Sequence, residues 1–222
     1  MMTMLSLPPG VLVDDEGIWN QVLCQSAAAG GPALFLDRDG VVVDEVAYLH
    51  RVEETRLVPG AAAVIARANR RRLPVVLITN QAGIGRGLYG WAEFTQVQGK
   101  MLADLAAAGA RVDAVYACPH QSGGVAPYDH PDHPARKPNP GMILRAARTL
   151  GMDLARSWIV GDRATDLMAG RTGGLEGGLH VLTGYGERPG EREAALAVSD
   201  GRFLTFGADT IADALRLVPL LA

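Results

Sequence analysis

Two carboxylates two residues apart are the first side chains in this sequence whose spacing suggests chemistry. Asp37 and Asp39 follow directly on the apolar run 34–36, in an Asp-x-Asp-Gly pattern that is also common in plain turns. A second acidic turn, with Asp162 and Asp166, follows another apolar run. If the runs are parallel strands, both turns open on one edge of a sheet, where crowded carboxylates repel one another unless a hard cation neutralises them. The sequence therefore predicts a Mg²⁺ site.

Groups that can bind phosphate oxygens occur in two further segments. Thr79, Asn80 and Gln81 end an apolar run ahead of a glycine-containing turn, and they offer a hydroxyl, amides and backbone N–H groups. Arg136 and Lys137 precede a helix candidate. This pair is either solvated at the helix start or holds an anion. Because cations oppose the dipole of a helix N-terminus, the pattern favours an anion between them.

Short apolar runs that alternate with helical patterns must position these groups. The apolar runs predict strands over residues 33–36, 75–78, 112–117, 158–160, 180–182 and 203–206. The helical patterns cover residues 60–72, 91–108, 140–150, 165–171, 191–198 and 210–221. Runs that are apolar on both faces indicate strands covered on both sides. The alternation predicts a doubly wound, Rossmann-like α/β fold with a parallel sheet, whose ligands bind beyond the carboxyl ends of the strands.

Composition and charge exclude several classes of protein. The chain has 222 residues, of which 48% are hydrophobic and 20% charged, as in a globular domain. The net charge is -3 and the only basic run is 70–72, so no nucleic-acid partner is expected. No apolar stretch approaches the roughly 20 residues of a membrane helix. A signal peptide begins with basic residues, and this sequence has none before Arg38. With only two cysteines, Cys24 and Cys118, we expect a cytoplasmic protein without a disulfide framework.

Residues 1–31 differ in composition from the rest and are interpreted as an appendage to one domain over residues 32–222. The appendage is acidic at 14–16 and ends in Ala and Gly. Its segment 17–26 has apolar residues at helical spacing, which indicates a short docked helix, with an unstructured tail as the alternative. The segment 119–138, rich in His, Pro and Gly, predicts a long loop that is functional or externally braced.

Taken in order, Asp37-x-Asp39, Thr79, Lys137 and Gly161-Asp162-x-x-x-Asp166 resemble the four motifs of the haloacid dehalogenase-like superfamily. A narrower resemblance is to the D-glycero-D-manno-heptose 1,7-bisphosphate phosphatases, with histidinol-phosphate phosphatases as close relatives. The segments that carry it are Phe35-Leu36-Asp37-Arg38-Asp39-Gly40, Thr79-Asn80-Gln81-Ala82-Gly83-Ile84, Cys118-Pro119-His120 and Arg136-Lys137-Pro138. The resemblance covers about residues 33 to 190 and implies a phosphoric monoester hydrolase.

The resemblance implies a role for each motif residue. Asp37 would be the nucleophile that forms an aspartyl-phosphate, and Asp39 the general acid and base. Asp37, the backbone carbonyl of Asp39 and Asp162 would ligate Mg²⁺. Thr79 and Lys137 would offset negative charge on the transferring phosphoryl group.

Outside the motif core, the resemblance implies contacts with the rest of the substrate. The residues expected to make them are Glu45, Tyr48, Asn80, Gln81, Arg136 and Arg163. Asp166 is expected to orient Lys137 or the metal-bound waters. The stretch Glu45-Val46-Ala47-Tyr48 departs from the family's acidic-His-Gly-Tyr pattern, although Tyr48 matches it. About twenty residues, 41–60, separate the first motif from the next helix, too few for a helical cap domain, so an open site without a cap is expected.

A Zn²⁺ ion braces the corresponding long loop in the resembled family, bound by a Cys-Pro-His and a later Cys-x-Cys. Cys118 and His120 match the first pair, but the later two positions hold His133 and Ala135. Together with His130, the residues Cys118, His120 and His133 still offer four ligands for a structural zinc site. The alternative is a loop that has lost its metal and is held by its prolines.

The leading hypothesis is a Mg²⁺-dependent phosphatase that acts on a small phosphorylated sugar, namely the C7 phosphate of D-glycero-D-manno-heptose 1,7-bisphosphate. A histidinol-phosphate phosphatase, acting on an amino-alcohol substrate, or a general phosphomonoesterase is the nearest alternative. A non-catalytic scaffold that binds phosphorylated ligands is an alternative from another class. We expect the protein to be a monomer without a membrane partner.

Overall fold

The computed structural model describes residue 8, residues 10–24 and residues 30–222. Its strands are β1 (Val11–Val13), β2 (Trp19–Val22), β3 (Leu34–Leu36), β4 (Val75–Asn80), β5 (Ala114–Cys118), β6 (Trp158–Gly161), β7 (Gly177–Val181) and β8 (Leu204–Ala208). Its α-helices are α1 (Ala61–Arg70), α2 (Ala82–Gly85), α3 (Trp91–Ala107), α4 (Gly141–Leu150), α5 (Ala164–Thr172), α6 (Glu191–Leu196) and α7 (Ala214–Leu217). Five 3-10 turns within the described residues complete the structure.

All eight strands form one sheet in the order β1-β2-β5-β4-β3-β6-β7-β8. The six strands from β5 to β8 in this order are parallel, and β1 and β2 are antiparallel additions at one side. Strand β3 lies between β4 and β6, so the chain reverses its direction of winding at β3. The predicted doubly wound α/β fold is confirmed.

The central strand β3 is enclosed on both faces, as its unbroken apolar sequence predicts. Leu34 and Leu36 pack into one hydrophobic core with residues of α1 and α3. Phe35 packs into a second core on the other face, with residues of α4 and α5. Because helices cover both faces, no polar side chain interrupts the strand until it leaves the sheet at Asp37.

The segment predicted as a docked helix over 17–26 contains strand β2, Trp19–Val22, and no helix among its described residues. Trp19 and Gln21 are buried while Asn20 and Val22 are half-buried, which is the two-residue period of a strand. Strand β2 pairs antiparallel with β5 on one side and with β1 on the other. The predicted helix is therefore wrong, and residues 10–24 of the expected appendage extend the sheet of the main domain. Residues 25 and 26 of the predicted helix lie outside the described residues.

The helical pattern predicted over 210–221 breaks into short pieces. Helix α7 has a 3-10 turn on each side, Ile211–Asp213 and Pro219–Leu221. Pro219 lacks a backbone N–H group and starts the last turn, so one continuous helix cannot form there. The other predicted strands and helices lie within a few residues of their observed bounds.

Two segments without long helices flank the carboxyl edge of the sheet. Residues 37–60, between β3 and α1, contain one 3-10 turn at Val52–Glu54 and no inserted domain. Residues 119–140, between β5 and α4, form the predicted long loop, with one bridge between Gln121 and Asp129. None of the helices in the described ranges is long and apolar enough to cross a membrane.

Candidate active site

Three carboxylates converge where β3 and β6 end side by side. Leu36 and Val160 are register partners, so Asp37 and Asp162 leave the sheet at the same level. Asp166 reaches the same point from the first turn of α5. One oxygen from each of the three carboxylates lies within 4.8 Å of the others, and all three side chains are buried. This is the only such cluster of potential metal ligands among the residues that the structure describes.

Burial and mutual repulsion make the charged forms of Asp37 and Asp162 costly. Burial raises the pKa of Asp37 to about 7, against the effect of Lys137. Burial, followed by the charges of Asp37 and Asp166, raises the pKa of Asp162 to about 9. A positive ion beside the cluster would favour the charged forms.

The geometry around Asp162 fits a hard cation. Its Oδ2 atom accepts the backbone N–H of Tyr185 at 2.7 Å, whereas its Oδ1 atom is buried and has no hydrogen-bond partner. Gly40 and Gly184 enclose the carboxylate, and a Cβ atom at either would collide with it. Both glycines have positive φ angles, 79° and 64°, so side chains are disfavoured there for a second reason. Carboxylate oxygens with room for water are the ligands that Mg²⁺ prefers.

Lys137 connects the cluster to the long loop. Its Nζ atom lies 2.7 Å from both Asp37 Oδ1 and Asp166 Oδ1 and donates to the carbonyl oxygen of Ile78 at 3.0 Å. Burial opposes its charge, but Asp166 and Asp37 raise the pKa of Lys137 above its usual value. Asp166 thus contacts Lys137, the first of the two roles expected for it.

The backbone of Lys137 is held by Asn80 rather than by chain neighbours alone. The Asn80 amide donates to the carbonyl of Lys137 at 3.0 Å and accepts its N–H at 3.1 Å. Asn80 was expected to contact substrate. Because both ends of its amide are engaged, the structure shows it positioning Lys137, although it also lines the cavity described below.

Asp39 belongs to a hydrogen-bonded network at the ends of β3 and β4. Arg38 donates from Nε and Nη2 to both oxygens of Asp39, at 2.8 to 3.2 Å. Thr79 and Gln81 donate to Asp39 Oδ2 at 3.3 and 3.0 Å. Tyr89 donates to the Gln81 side chain at 2.6 Å. Arg38, which is 1% exposed, was not singled out in the sequence as a site residue.

One cavity of about 520 Å³ is lined by every residue predicted to act in catalysis, to bind Mg²⁺ or to contact the substrate. These residues are Asp37, Asp39, Glu45, Tyr48, Thr79, Asn80, Gln81, Arg136, Lys137, Asp162 and Arg163. Arg86, Tyr89, Tyr185 and Arg188 line the same cavity and were not predicted. Arg163 and Arg188 lie over the ring of Tyr185, at 5.4 and 3.9 Å from its centre. Tyr185 lies in a 3-10 turn after β7 and Arg188 directly follows that turn, whereas Arg163 precedes α5, so no short sequence signature joins the three residues.

The four predicted zinc ligands do not form a site of that kind. The rings of His120 and His133 stack, with their centres 3.9 Å apart and their planes at 5°. One nitrogen of each ring is hydrogen-bonded to the backbone. His120 Nε2 donates to Glu16 O at 2.6 Å, and His133 Nδ1 accepts from Ala135 N–H at 3.1 Å. Burial raises the pKa of Cys118 to about 12. Among the described residues, no three donors of this loop converge on one point. Of the histidine nitrogens in this loop, only His120 Nδ1 is a buried atom without a hydrogen-bond partner. A structural zinc site needs four convergent ligands.

The sheet edge, the buried carboxylates and the lysine define a phosphoryl-transfer site of the doubly wound α/β class. The HAD-hydrolase-like family model matches residues 134–214. A D-glycero-beta-D-manno-heptose-1,7-bisphosphate 7-phosphatase of Mesorhizobium japonicum is 46% identical over 164 residues, which are 71% of this chain and 76% of that protein. The chain therefore belongs to the haloacid dehalogenase-like phosphatases, within the family of the heptose-bisphosphate 7-phosphatases, and is a phosphoric monoester hydrolase.

Solved structures agree with this assignment. A HAD-like protein from Mesorhizobium loti, solved at 1.50 Å resolution, has a TM-score of 0.74 and 39% identity, covering 85% of this chain and 98% of that one. The D,D-heptose 1,7-bisphosphate phosphatase from B. bronchiseptica, complexed with magnesium and phosphate, has a TM-score of 0.67 and 34% identity. That match covers 82% of this chain and 94% of the other.

Proposed function

We propose that this protein is a Mg²⁺-dependent phosphatase that releases the C7 phosphate of D-glycero-D-manno-heptose 1,7-bisphosphate. The observation that carries the substrate class is a set of guanidinium groups in the cavity, in addition to Lys137. They belong to Arg86, Arg136, Arg163 and Arg188. Lys137 and a Mg²⁺ ion would balance the charge of one phosphoryl group at Asp37, so the further arginines suit a second phosphate on the same small substrate.

The side chains support a two-step displacement. Asp37 Oδ1 accepts the N–H of Arg38 and faces Lys137, while no described residue hydrogen-bonds Oδ2. In the first step Asp37 Oδ2 attacks phosphorus, the bond from phosphorus to the sugar oxygen breaks, and Asp39 gives that oxygen its proton. In the second step a water molecule attacks phosphorus, Asp39 takes its proton, and inorganic phosphate leaves with Asp37 restored.

Charge on the transferring group is balanced by Lys137 and Thr79 on the protein side. A Mg²⁺ ion held by Asp37, Asp162 and the backbone carbonyl of Asp39 would supply the remaining positive charge at the phosphoryl oxygens. Arg38 fixes the direction of the Asp39 carboxylate, because its Nε and Nη2 atoms donate to both carboxylate oxygens. The zinc site is not part of this proposal, because its residues do not converge. A cytoplasmic location and a monomeric state stay predictions.

The test is phosphate release from both anomers of heptose 1,7-bisphosphate, histidinol phosphate and simple sugar phosphates, with Mg²⁺ and with EDTA. We expect selective, Mg²⁺-dependent release from one heptose bisphosphate anomer. Faster release from histidinol phosphate would replace the proposed substrate by the alternative. No turnover of any phosphomonoester would contradict the chemistry as well.

The variant Asp37→Asn removes the nucleophile while its amide keeps nearly the same shape. We expect kcat to fall by a factor on the order of 10³ or more, because an amide oxygen does not form the aspartyl-phosphate. Asp44→Asn is the matched control, since Asp44 is exposed in the segment that follows. Steady-state phosphate release measures both variants. Unchanged release by Asp37→Asn would overturn the assignment of the nucleophile.

A further inference from the structure

The long loop 119–134 needs an external support that the predicted zinc site does not supply. Within it the backbone makes four hydrogen bonds: Gln121 N–H to Tyr128 O, Tyr128 N–H to Val125 O, and His130 N–H to both Gln121 O and Tyr128 O. Another, Val125 N–H to Gly85 O, attaches it to α2. Loops of this length without secondary structure are usually functional or disordered, and Gln121 of this loop lines the substrate cavity.

The turn between β1 and β2 lies against this loop. His120 Nε2 donates to the backbone carbonyl of Glu16 at 2.6 Å. Gly17 packs so closely on Tyr128 that a Cβ atom there would lie 2.7 Å from the ring. The Glu16 carboxylate lies 3.7 Å from His133 Nε2. The turn, residues 14–18, thus touches the loop at three of its side chains.

Arg145 of α4 anchors the same turn from the other side. Its guanidinium pairs with the carboxylates of both Asp14 and Glu16. Asp14 also accepts the backbone N–H groups of Glu16 and Ile18, at 3.1 and 2.9 Å, which shapes the turn. The turn is therefore held between helix α4 and the loop, and β2 joins it to the sheet.

One hydrogen bond connects the supported part of the loop with a residue that lines the substrate cavity. Arg136 Nη1 donates to the carbonyl oxygen of His120 at 2.7 Å. Arg136 lines the cavity, whereas His120 is the residue that the turn holds. The position of the Arg136 guanidinium thus depends on where the turn places His120.

We propose that the N-terminal β-hairpin, through its turn 14–18 and Arg145, takes the place of a metal in bracing the loop 119–134 and so positions Arg136 on the substrate. Asp14, Glu16 and Arg145 are positioning residues, since none of them lines the catalytic cavity. The part that concerns substrate rests on the proposed function. The part that concerns the loop does not.

The central experiment compares Arg145→Ala with Arg148→Ala in the full chain. Arg148 lies on the same helix, is exposed and has no ion pair in the described structure, so it is the matched control. We expect Arg145→Ala to raise KM for heptose 1,7-bisphosphate about fivefold with kcat within twofold, and Arg145→Lys to recover most of the loss. Equal KM values for the two alanine variants would overturn the positioning role.

A second readout needs no substrate. Amide hydrogen exchange of residues 121–130 should become faster in Arg145→Ala and in the double variant Asp14→Asn, Glu16→Gln, and stay unchanged in Arg148→Ala. The double variant keeps side-chain shape, so it tests the ion pairs even if Arg145→Ala folds poorly. If heptose bisphosphate is not a substrate, the proposed function fails. The hydrogen-exchange measurement still tests whether the hairpin stabilises the loop. Unchanged exchange in the double variant would overturn the brace.

Metal analysis completes the test. We expect less than about 0.1 zinc per chain in the purified protein, and an unchanged KM after chelation and return of Mg²⁺. One zinc per chain, whose removal raises KM, would show that a metal rather than the hairpin braces the loop.

Discussion

Lys137 is 4% exposed, yet it keeps its charge because two carboxylates face it. Those carboxylates come from different parts of the chain, Asp37 after β3 and Asp166 in α5. The lysine therefore offsets the repulsion within the acidic cluster as well as placing a positive charge on the bound phosphoryl group. Stability and activity depend here on the same ammonium group.

Replacing Lys137 by Met should therefore impair both properties. The change leaves Asp37 and Asp166 buried without their cation, which should cost about 3–5 kcal/mol of unfolding free energy in the absence of Mg²⁺. Urea unfolding and phosphate release measure the two effects. Lys100→Met is the control, because its half-exposed pair with Asp104 is worth only about 0–1 kcal/mol. Similar losses for the two variants would contradict this account of Lys137.

At the scale of elements, the hairpin β1–β2 changes how the first residues are understood. Trp19 is fully buried and packs on Trp91 and Phe94 of α3, with ring centres 5.3 and 5.1 Å away. Its indole N–H is buried without a partner. The hairpin thus contributes a large side chain to the core between the sheet and α3.

Trp19→Ala should lower the free energy of unfolding by about 3–5 kcal/mol, because it leaves a large cavity in that core. Trp19→Phe should cost much less, since most of the ring stays and the unpaired N–H is removed. Chemical denaturation measures both. Leu12→Ala on β1 is the control, as Leu12 is 63% exposed. A negligible effect of Trp19→Ala would return residues 10–24 to the status of an appendage.

For the whole molecule, the acidic cluster predicts that stability depends on Mg²⁺. A ligand that binds only the folded state adds about 2.7 kcal/mol at a concentration of 100 times its Kd. We therefore expect Mg²⁺ to raise the thermal unfolding midpoint by several degrees, as measured by calorimetry.

Asp162→Asn should remove this Mg²⁺ effect. The same change should raise the midpoint of the metal-free protein at neutral pH. Burial and the neighbouring carboxylates raise the pKa of Asp162 to about 9, so folding must add a proton to this group, whereas Asn needs none and can still accept the Tyr185 N–H. Asp153→Asn, at a half-buried acid that lies outside the cluster and caps the 3-10 turn Leu154–Arg156, is the control and should keep the full Mg²⁺ response. A metal-free midpoint for Asp162→Asn below that of the unchanged protein would contradict this account of Asp162.

The sequence by itself determined the fold class and the principal members of the site. Asp37, Thr79 and Asp162 each end an apolar run, and such runs become buried parallel strands whose carboxyl ends share one edge. Because the apolar run and the polar residue after it are adjacent in sequence, these site residues can be predicted from the local sequence alone.

Only the tertiary structure decided the remaining arrangement. The pairing of β3 with β6 joins residues more than a hundred positions apart, and no local spacing encodes it. The hold of Arg38 on Asp39, the place of Arg188 in the cavity and the contact of Glu16 with His120 all depend on such long-range packing. Trp19 shows the same limit, because a short apolar run satisfies helix and strand patterns equally until its neighbours are known.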